Sequence, residues 1–395
     1  MVPLSADNPK IFILAGEKSG DVLGGAFLRS LKALYPDAEV RGIGGEEMLA
    51  SGMLGESLFP MDELSLMGIA EIVPQLPNLI KRIDETVKAV EAFKPDVLLT
   101  IDAPDFSFRV QKKIKKRQKV STHQVHYVAP TVWAWREKRA DKISKILDQV
   151  LCLFPFEPPY FEKVGLQADF VGHSMLENVA LFDKKLGVGF RQNIGVSDDT
   201  KLLGVFLGSR TQEVKTMLSV YKEVLSDLVG YKDNLTLIIP TFPKFIDLIE
   251  ESFSDLPFSM HFLTDSEKKW CAFSAMDAAM ATSGTVGLEL AVSGVPHLIS
   301  YQMKPMTAMV ARRLIKVKYA HLANIMRGEM IVPEFIQEDC RADLIRPEIE
   351  SLLFDEERSG ALKMSLSGIS DDLRGDASEP PSMQAVRAVM TKVCS

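Results

Sequence analysis

The 395-residue sequence has no run of 18 apolar residues, and no N-terminal stretch in which charge gives way to an apolar segment. The first absence argues against a membrane-spanning helix and the second against a secretory signal. Cysteine is scarce. The four, at 152, 271, 340 and 394, form no Cys-x-x-Cys, and the six histidines show no zinc-ligand spacing. A reduced, cytoplasmic chain without a metal is the expectation, with Cys152 as a core thiol. Positive charge is in deficit, 46 Lys and Arg against 53 Asp and Glu for a net charge of −7, which disfavours nucleic acid as a partner. Two nucleotide-loop signatures are also missing. Gly16-Glu17-Lys18-Ser19-Gly20-Asp21 lacks the Walker A spacing, and it does not contain Gly-x-Gly-x-x-Gly.

What is present is a 46% hydrophobic chain with a βα rhythm. Ile11-Phe12-Ile13-Leu14 reads as a strand, and Leu23, Phe27, Leu28, Leu31 and Leu34 form the apolar face of the helix that follows. Further strands are expected at 96–101, 120–128 and 149–154, then at 201–206, 235–239, 278–281 and 296–301. Alternation of this kind predicts mostly parallel sheets wrapped by helices. The boundaries read as 1–177 and 178–345 for two Rossmann-like domains, with a helical segment at 346–395. Residues 1–10 read as a loose leader and 178–200 as the connection between domains. Ligands of such sheets bind at the carboxyl ends of the strands, where the chemically suggestive residues fall.

Asp102, in Ile101-Asp102-Ala103-Pro104-Asp105, ends a strand and can take a proton from an attacking hydroxyl. The competing reading for Asp102 and Asp105 is a helix N-cap. His126 to Arg136 holds two of the three tryptophans, Trp133 and Trp135, as a platform for a sugar or acyl chain or as an aromatic cap over the core. Gly208-Ser209-Arg210 and Ser283-Gly284-Thr285, with Glu289 one turn on, suit a diphosphate at helix starts, or are ordinary capped helices. Leu64 to Pro77 is apolar, with Leu66, Met67, Ile69, Ile72, Val73 and Leu76 broken by two prolines. It is too broken for one long core helix, and reads as a bilayer or acyl-chain contact or as core. Lys112 to Lys119 carries six cations in eight residues, either a lipid-facing patch or a solvated helix face.

Together these motifs resemble the lipid-A-disaccharide synthase family from about Ile11 to about Cys340. Further matching parts are Gly44-Gly45-Glu46-Glu47-Met48, His126-Tyr127-Val128-x-Pro-x-Val-Trp-Ala-Trp-Arg136, Asn324, and Pro333 to Gln337. Lys18 departs from the family, which usually has Ala there. The resemblance implies a GT-B fold and an inverting transfer from UDP-2,3-diacylglucosamine to 2,3-diacylglucosamine 1-phosphate, without a metal or other cofactor. It implies Asp102 as base, with Glu17 and Ser19 beside it. It also implies Gly208, Ser209, Arg210, Ser283, Gly284, Thr285, Glu289, Asn324, Glu334 and Gln337 around the nucleotide. Family members are cytoplasmic and peripheral at the inner face of the inner membrane, some as dimers with exchanged C-terminal segments, so a membrane surface and a second copy are implied partners. The alternative is another GT-B enzyme, a UDP-aminosugar transferase or a UDP-sugar 2-epimerase.

Overall fold

The computed structural model describes residues 8–64, 69–135, 137–177, 185–265, 268–315, 317–376 and 378–393, with side chains excluded at 69–76, 135, 305, 310, 311, 314 and 393. The chain divides into two units, one running to Glu177 and resuming at Asp371, the other spanning 178–370.

In the first unit, β1 (Lys10–Ala15), β2 (Glu39–Ile43), β3 (Val97–Ile101), β4 (His123–Tyr127), β5 (Gln149–Cys152) and β6 (Gln167–Phe170) form one sheet in the order β2-β1-β3-β4-β5-β6. Every pairing is parallel. β1 from Ile11 onward, and β3 apart from Thr100, are apolar because helices cover both faces of the sheet. On one face lies the helix Lys18–Leu34, whose Leu23, Phe27, Leu28 and Leu31 are buried. Burying each such side chain contributes roughly 1.5–3 kcal/mol. The helix Pro381–Val393 packs on the same face, adding Ala385, Val386, Val389 and Met390 to that core. Ser30 and Ser382 share a hydrogen bond of 2.7 Å across the two helices.

The second unit repeats the plan. β7 (Lys201–Phe206), β8 (Leu235–Pro240), β9 (Ser259–Leu263), β10 (Ala278–Thr282), β11 (His297–Tyr301) and β12 (Glu334–Ile336) are ordered β12-β11-β10-β7-β8-β9, again all parallel. In each sheet the chain starts in the middle, builds outward to one side, then returns to build the other. The reversal falls between β1 and β3 in one sheet and between β7 and β10 in the other, and it opens a crevice at the carboxyl ends of those strands.

Three expectations need correction. The helix Ile69–Phe93 is continuous through Pro74 and Pro77. A proline forfeits one backbone bond, but its fixed φ lies in the helical range, and Ile83, Val87 and Val90 anchor the rest of the helix in a core. Residues 185–194 are not a connection but a helix, and its Phe190 enters the core of the second unit. Gly187 there lies so close to the helix Lys268–Ala275 that a Cβ would stand 2.4 Å from the Ser274 carbonyl oxygen. Lys10 belongs to β1 rather than to a leader, with its N–H donating to Asp96 at 2.8 Å.

Candidate active site

The turn after β1 and the turn after β3 meet at the first reversal. Gly16 is required there, because a Cβ would lie 2.5 Å from that of Ala103. Asp102 and Ala103 both have left-handed backbones, φ 50° and 44°, which cost free energy in residues other than glycine. Val128, directly after β4, is held at φ 75°, a rare state for a β-branched residue. Strain of this kind collects where surrounding structure fixes a side chain for a task. Asp102 sits half-buried on this frame. Its N–H donates to the Tyr127 carbonyl at 3.1 Å, and its Oδ1 accepts the Ala103 N–H at 2.9 Å. The N-cap position belongs to Ala103, so neither Asp102 nor Asp105 is the cap.

Glu17 caps the helix Lys18–Leu34 by position, without a side-chain bond to it. Partial burial and the neighbouring Asp102 carboxylate raise its pKa. Ser19 is exposed in the first turn of the same helix. Asp21 is not exposed: its carboxylate accepts the N–H groups of Gly45, Glu47 and Met48 at 2.7, 3.1 and 3.2 Å. That bond set ties the turn after β1 to the one after β2, a structural role the sequence reading did not assign.

The aromatic motif lies mainly behind the site. His126 is fully buried, with Nδ1 2.7 Å from the Thr100 hydroxyl. Burial, reinforced by the Arg139 charge, pushes its pKa down to about 3. Trp133 is buried and donates its indole N–H to Glu157 at 3.2 Å. Glu157 also accepts the N–H groups of Leu153 and Phe154, and burial lifts its pKa to about 7. The sequence reading missed this carboxylate. Its only signal is one acid within Phe154-Pro155-Phe156-Glu157-Pro158-Pro159. The side chain of Trp135, Arg136 and residues 65–68 (Leu66 and Met67 among them) fall outside the described residues, as do the side chains of Ile69, Ile72, Val73 and Leu76. The run from Lys112 to Lys119 is a paired face: Lys113 meets Asp84, Lys115 meets Asp148, and Arg117 and Lys119 meet Glu91.

At the second reversal, Gly208 (φ 103°) lets the loop after β7 lie against Glu213, which a Cβ would contact at 3.0 Å. Glu213 accepts the N–H groups of Ser209 and Arg210 at 3.3 and 3.2 Å and pairs with the Arg210 guanidinium at 2.7 Å. Arg210 remains 80% exposed, a fork aimed outward by a carboxylate at its base. Across the reversal, the Thr282 hydroxyl donates to the Phe206 carbonyl at 3.0 Å, fastening β10 to β7. The helix Thr285–Val292 then starts at Gly284 without a side-chain cap, so its first N–H groups can receive an anion. Glu289 is less free, pairing with Lys269 at 2.7 Å.

The other expected nucleotide residues divide. Gln337 has φ 59°, and its side-chain nitrogen is buried with no partner among the described residues. Asn324 is fully buried and spends its whole amide internally, donating to Val332 O and Glu334 and accepting from Ile331 and Val332. Glu334 in turn accepts the N–H groups of Ala320 and His321. These two brace the loop that leads to Gln337.

A sequence profile described as lipid-A-disaccharide synthetase matches residues 11–384. Curated relatives include lipid-A-disaccharide synthases from Rhodospirillum centenum, 42% identical over 97% of this chain and 94% of theirs, and from Paramagnetospirillum magneticum, 38% identical over 96% of each. Among solved structures, a UDP-GlcNAc 2-epimerase from Neisseria meningitidis aligns with TM-score 0.64 at 12% identity over 97% of this chain and all of that one. A MurG from Acinetobacter baumannii aligns with TM-score 0.55 at 13% identity over 98% of this chain and 99% of that one. At such identities these structures establish the fold, of the GT-B class. The strand-end motifs, the two reversal sites and the full-length similarity lead to one assignment: the chain belongs to the lipid-A-disaccharide synthase family of glycosyltransferases.

Proposed function

We propose that the protein transfers diacylglucosamine from UDP-2,3-diacylglucosamine to the 6-hydroxyl of 2,3-diacylglucosamine 1-phosphate, releasing UDP with inversion at the anomeric carbon. Asp102 takes the proton of the attacking hydroxyl. Glu17, whose protonated form burial and the Asp102 charge favour, adjoins it, and Ser19 binds sugar hydroxyls. In the second unit, Ser209, Arg210 and the N–H groups from Ser283 to Thr285 take up the charge of the departing diphosphate. Glu289 and Gln337 flank the nucleoside, and Asn324 and Glu334 hold their loop in shape. The observation that carries the reading is the gathering of Glu17, Ser19 and Asp102 at one reversal point and of Ser209, Arg210 and Ser283 to Thr285 at the other.

Both substrates carry acyl chains, so the enzyme works as a peripheral protein at the inner face of the inner membrane. No helix among the described residues is long and apolar enough to cross a bilayer. Ile69, Ile72, Val73 and Leu76, with Leu66 and Met67, are assigned to that contact. A homodimer would exchange the segment from Asp371 onward. The test is to incubate the purified protein with the two lipid substrates, measure released UDP, and read the new linkage by its anomeric coupling constant. The β-linked disaccharide with stoichiometric UDP is expected. No UDP would remove the assignment, and an α-linkage would refute the single displacement.

A further inference from the structure

The second unit carries an apolar and cationic face that the chemistry above does not use. Between Gln302 and Lys318 the sequence places Lys304, Arg312, Arg313, Lys316 and Lys318 and no carboxylate, in a chain whose net charge is −7. Most of this stretch is the helix Pro305–Leu314. Its Met306 is 73% exposed and Met309 50%, and Ile315 just beyond is 46% exposed. Lys304, Arg312, Arg313 and Lys318 are exposed around them. Lone exposed apolar residues are ordinary. Three within ten positions, ringed by cations, are a basic amphipathic surface of the kind that lies in a lipid interface. Of these cations Arg312 pairs with Glu338, whereas four of the six in the run from Lys112 to Lys119 meet carboxylates.

The helix also borders an open groove of about 630 Å³, lined in part by Thr216, Met303, Ala308 and Gln337. Thr216 lies on the helix Thr211–Ser226, which the Arg210 loop opens, so the face adjoins the assigned nucleotide loops within the same unit.

We infer that the face carrying Lys304, Met306, Met309, Arg313, Ile315 and Lys318 docks on an anionic lipid surface, with Met306, Met309 and Ile315 entering the headgroup layer and Lys304, Arg313 and Lys318 meeting lipid phosphates. This rests on the peripheral-membrane reading and deepens it, because the nucleotide-binding unit then has a lipid contact of its own. Exposed methionines would contribute little on nucleic acid. The cationic ring is complementary to an anionic bilayer.

The test is vesicle flotation of the full chain, using phosphatidylglycerol/phosphatidylcholine vesicles and pure phosphatidylcholine vesicles. The parent should float with the first and much less with the second. The double variant Met306→Ser/Met309→Ser should bind anionic vesicles about a hundredfold more weakly, in line with two apolar side chains leaving the interface. Each of Lys304→Gln and Arg313→Gln should cost about fivefold. Thermal unfolding followed by circular dichroism should match the parent in all three, showing that the unit is folded. If the parent floats and the methionine variant floats equally, the inference is overturned while the peripheral reading stands. If the parent itself fails to float, the peripheral reading falls and the inference with it. A variant that floats normally but loses self-association on gel filtration would make the face a protein contact, and this too overturns the proposal.

Discussion

The two sheets share one topology but use the same reversal point for opposite charges. In the first unit it presents carboxylates, Asp102 and Glu17, on a backbone strained at Asp102, Ala103 and Val128. In the second it presents a guanidinium and the uncapped start of a helix, with Glu213 holding the Arg210 loop in place. In the proposed reaction one topology then serves proton removal in the first unit and anion binding in the second. The first arrangement is held by steric constraint and the second by hydrogen bonds, so they should fail differently when altered.

The largest expected effect is on the carboxylate side. Asp102→Asn should lower turnover by about a thousandfold, within the range of general-base catalysis, while calorimetry gives unchanged UDP affinity. An effect on UDP affinity equal to that on turnover would dissolve the division between the units. Next, Arg210→Ala should weaken UDP binding by about 1.5–3 kcal/mol, the worth of a charged hydrogen bond. Glu213→Gln should produce a smaller loss in the same direction.

Gly16→Ala tests the steric side. The 2.5 Å approach to Ala103 leaves no room for a methyl group, so a destabilisation of about 1–3 kcal/mol is expected by chemical denaturation. UDP binding should be retained. A Gly16→Ala protein as stable and active as the parent would show that the close approach is not needed.

The smallest effect is in pH dependence. Burial holds His126 down to about 3 and His173 and His297 down to about 4, against about 6.5 in the unfolded chain. Below that value the unfolded chain binds protons that the folded one does not, so stability falls as pH drops from about 6.5 towards 4. Glu157 acts the other way. Raised by burial from 4.5 to about 7, it keeps its proton when the unfolded chain has lost it, so its contribution declines as pH rises through that window. Melting temperature against pH should therefore climb more steeply between pH 5 and 7 in Glu157→Gln than in the parent. Equal slopes would mean that Glu157 ionises normally.

The central strands were legible because parallel strands buried on both faces are continuous apolar runs, and the turns after them held the motif residues. The outer strands were not. Glu39-Val40-Arg41-Gly42-Ile43 mixes charge and glycine because an edge strand is partly solvated, and β12 is only three residues long. The helix at 185–194 was obscured by Gly187 and Gly189, which lower helix propensity. Of the two glycines, Gly187 is needed for close packing. Of the proposed site residues, the exposed ones are those that residue type and position single out. The braces are not singled out: Asp21, Glu157 and Glu213 look like surface acids until the backbone N–H groups they accept are seen. Asn324 and Glu334 were noticed through resemblance, but only the structure gives them partners inside their own loop.

The helix Pro381–Val393 closes the core of a unit whose strands all lie before Glu177. During synthesis roughly two hundred residues intervene, on the order of ten to forty seconds at ribosomal rates. For that interval the core that Ala385, Val386, Val389 and Met390 complete waits without its cover while the second unit is made. A nascent chain of this protein therefore offers chaperones, or an adjacent chain's matching helix, an apolar strip that the finished molecule conceals.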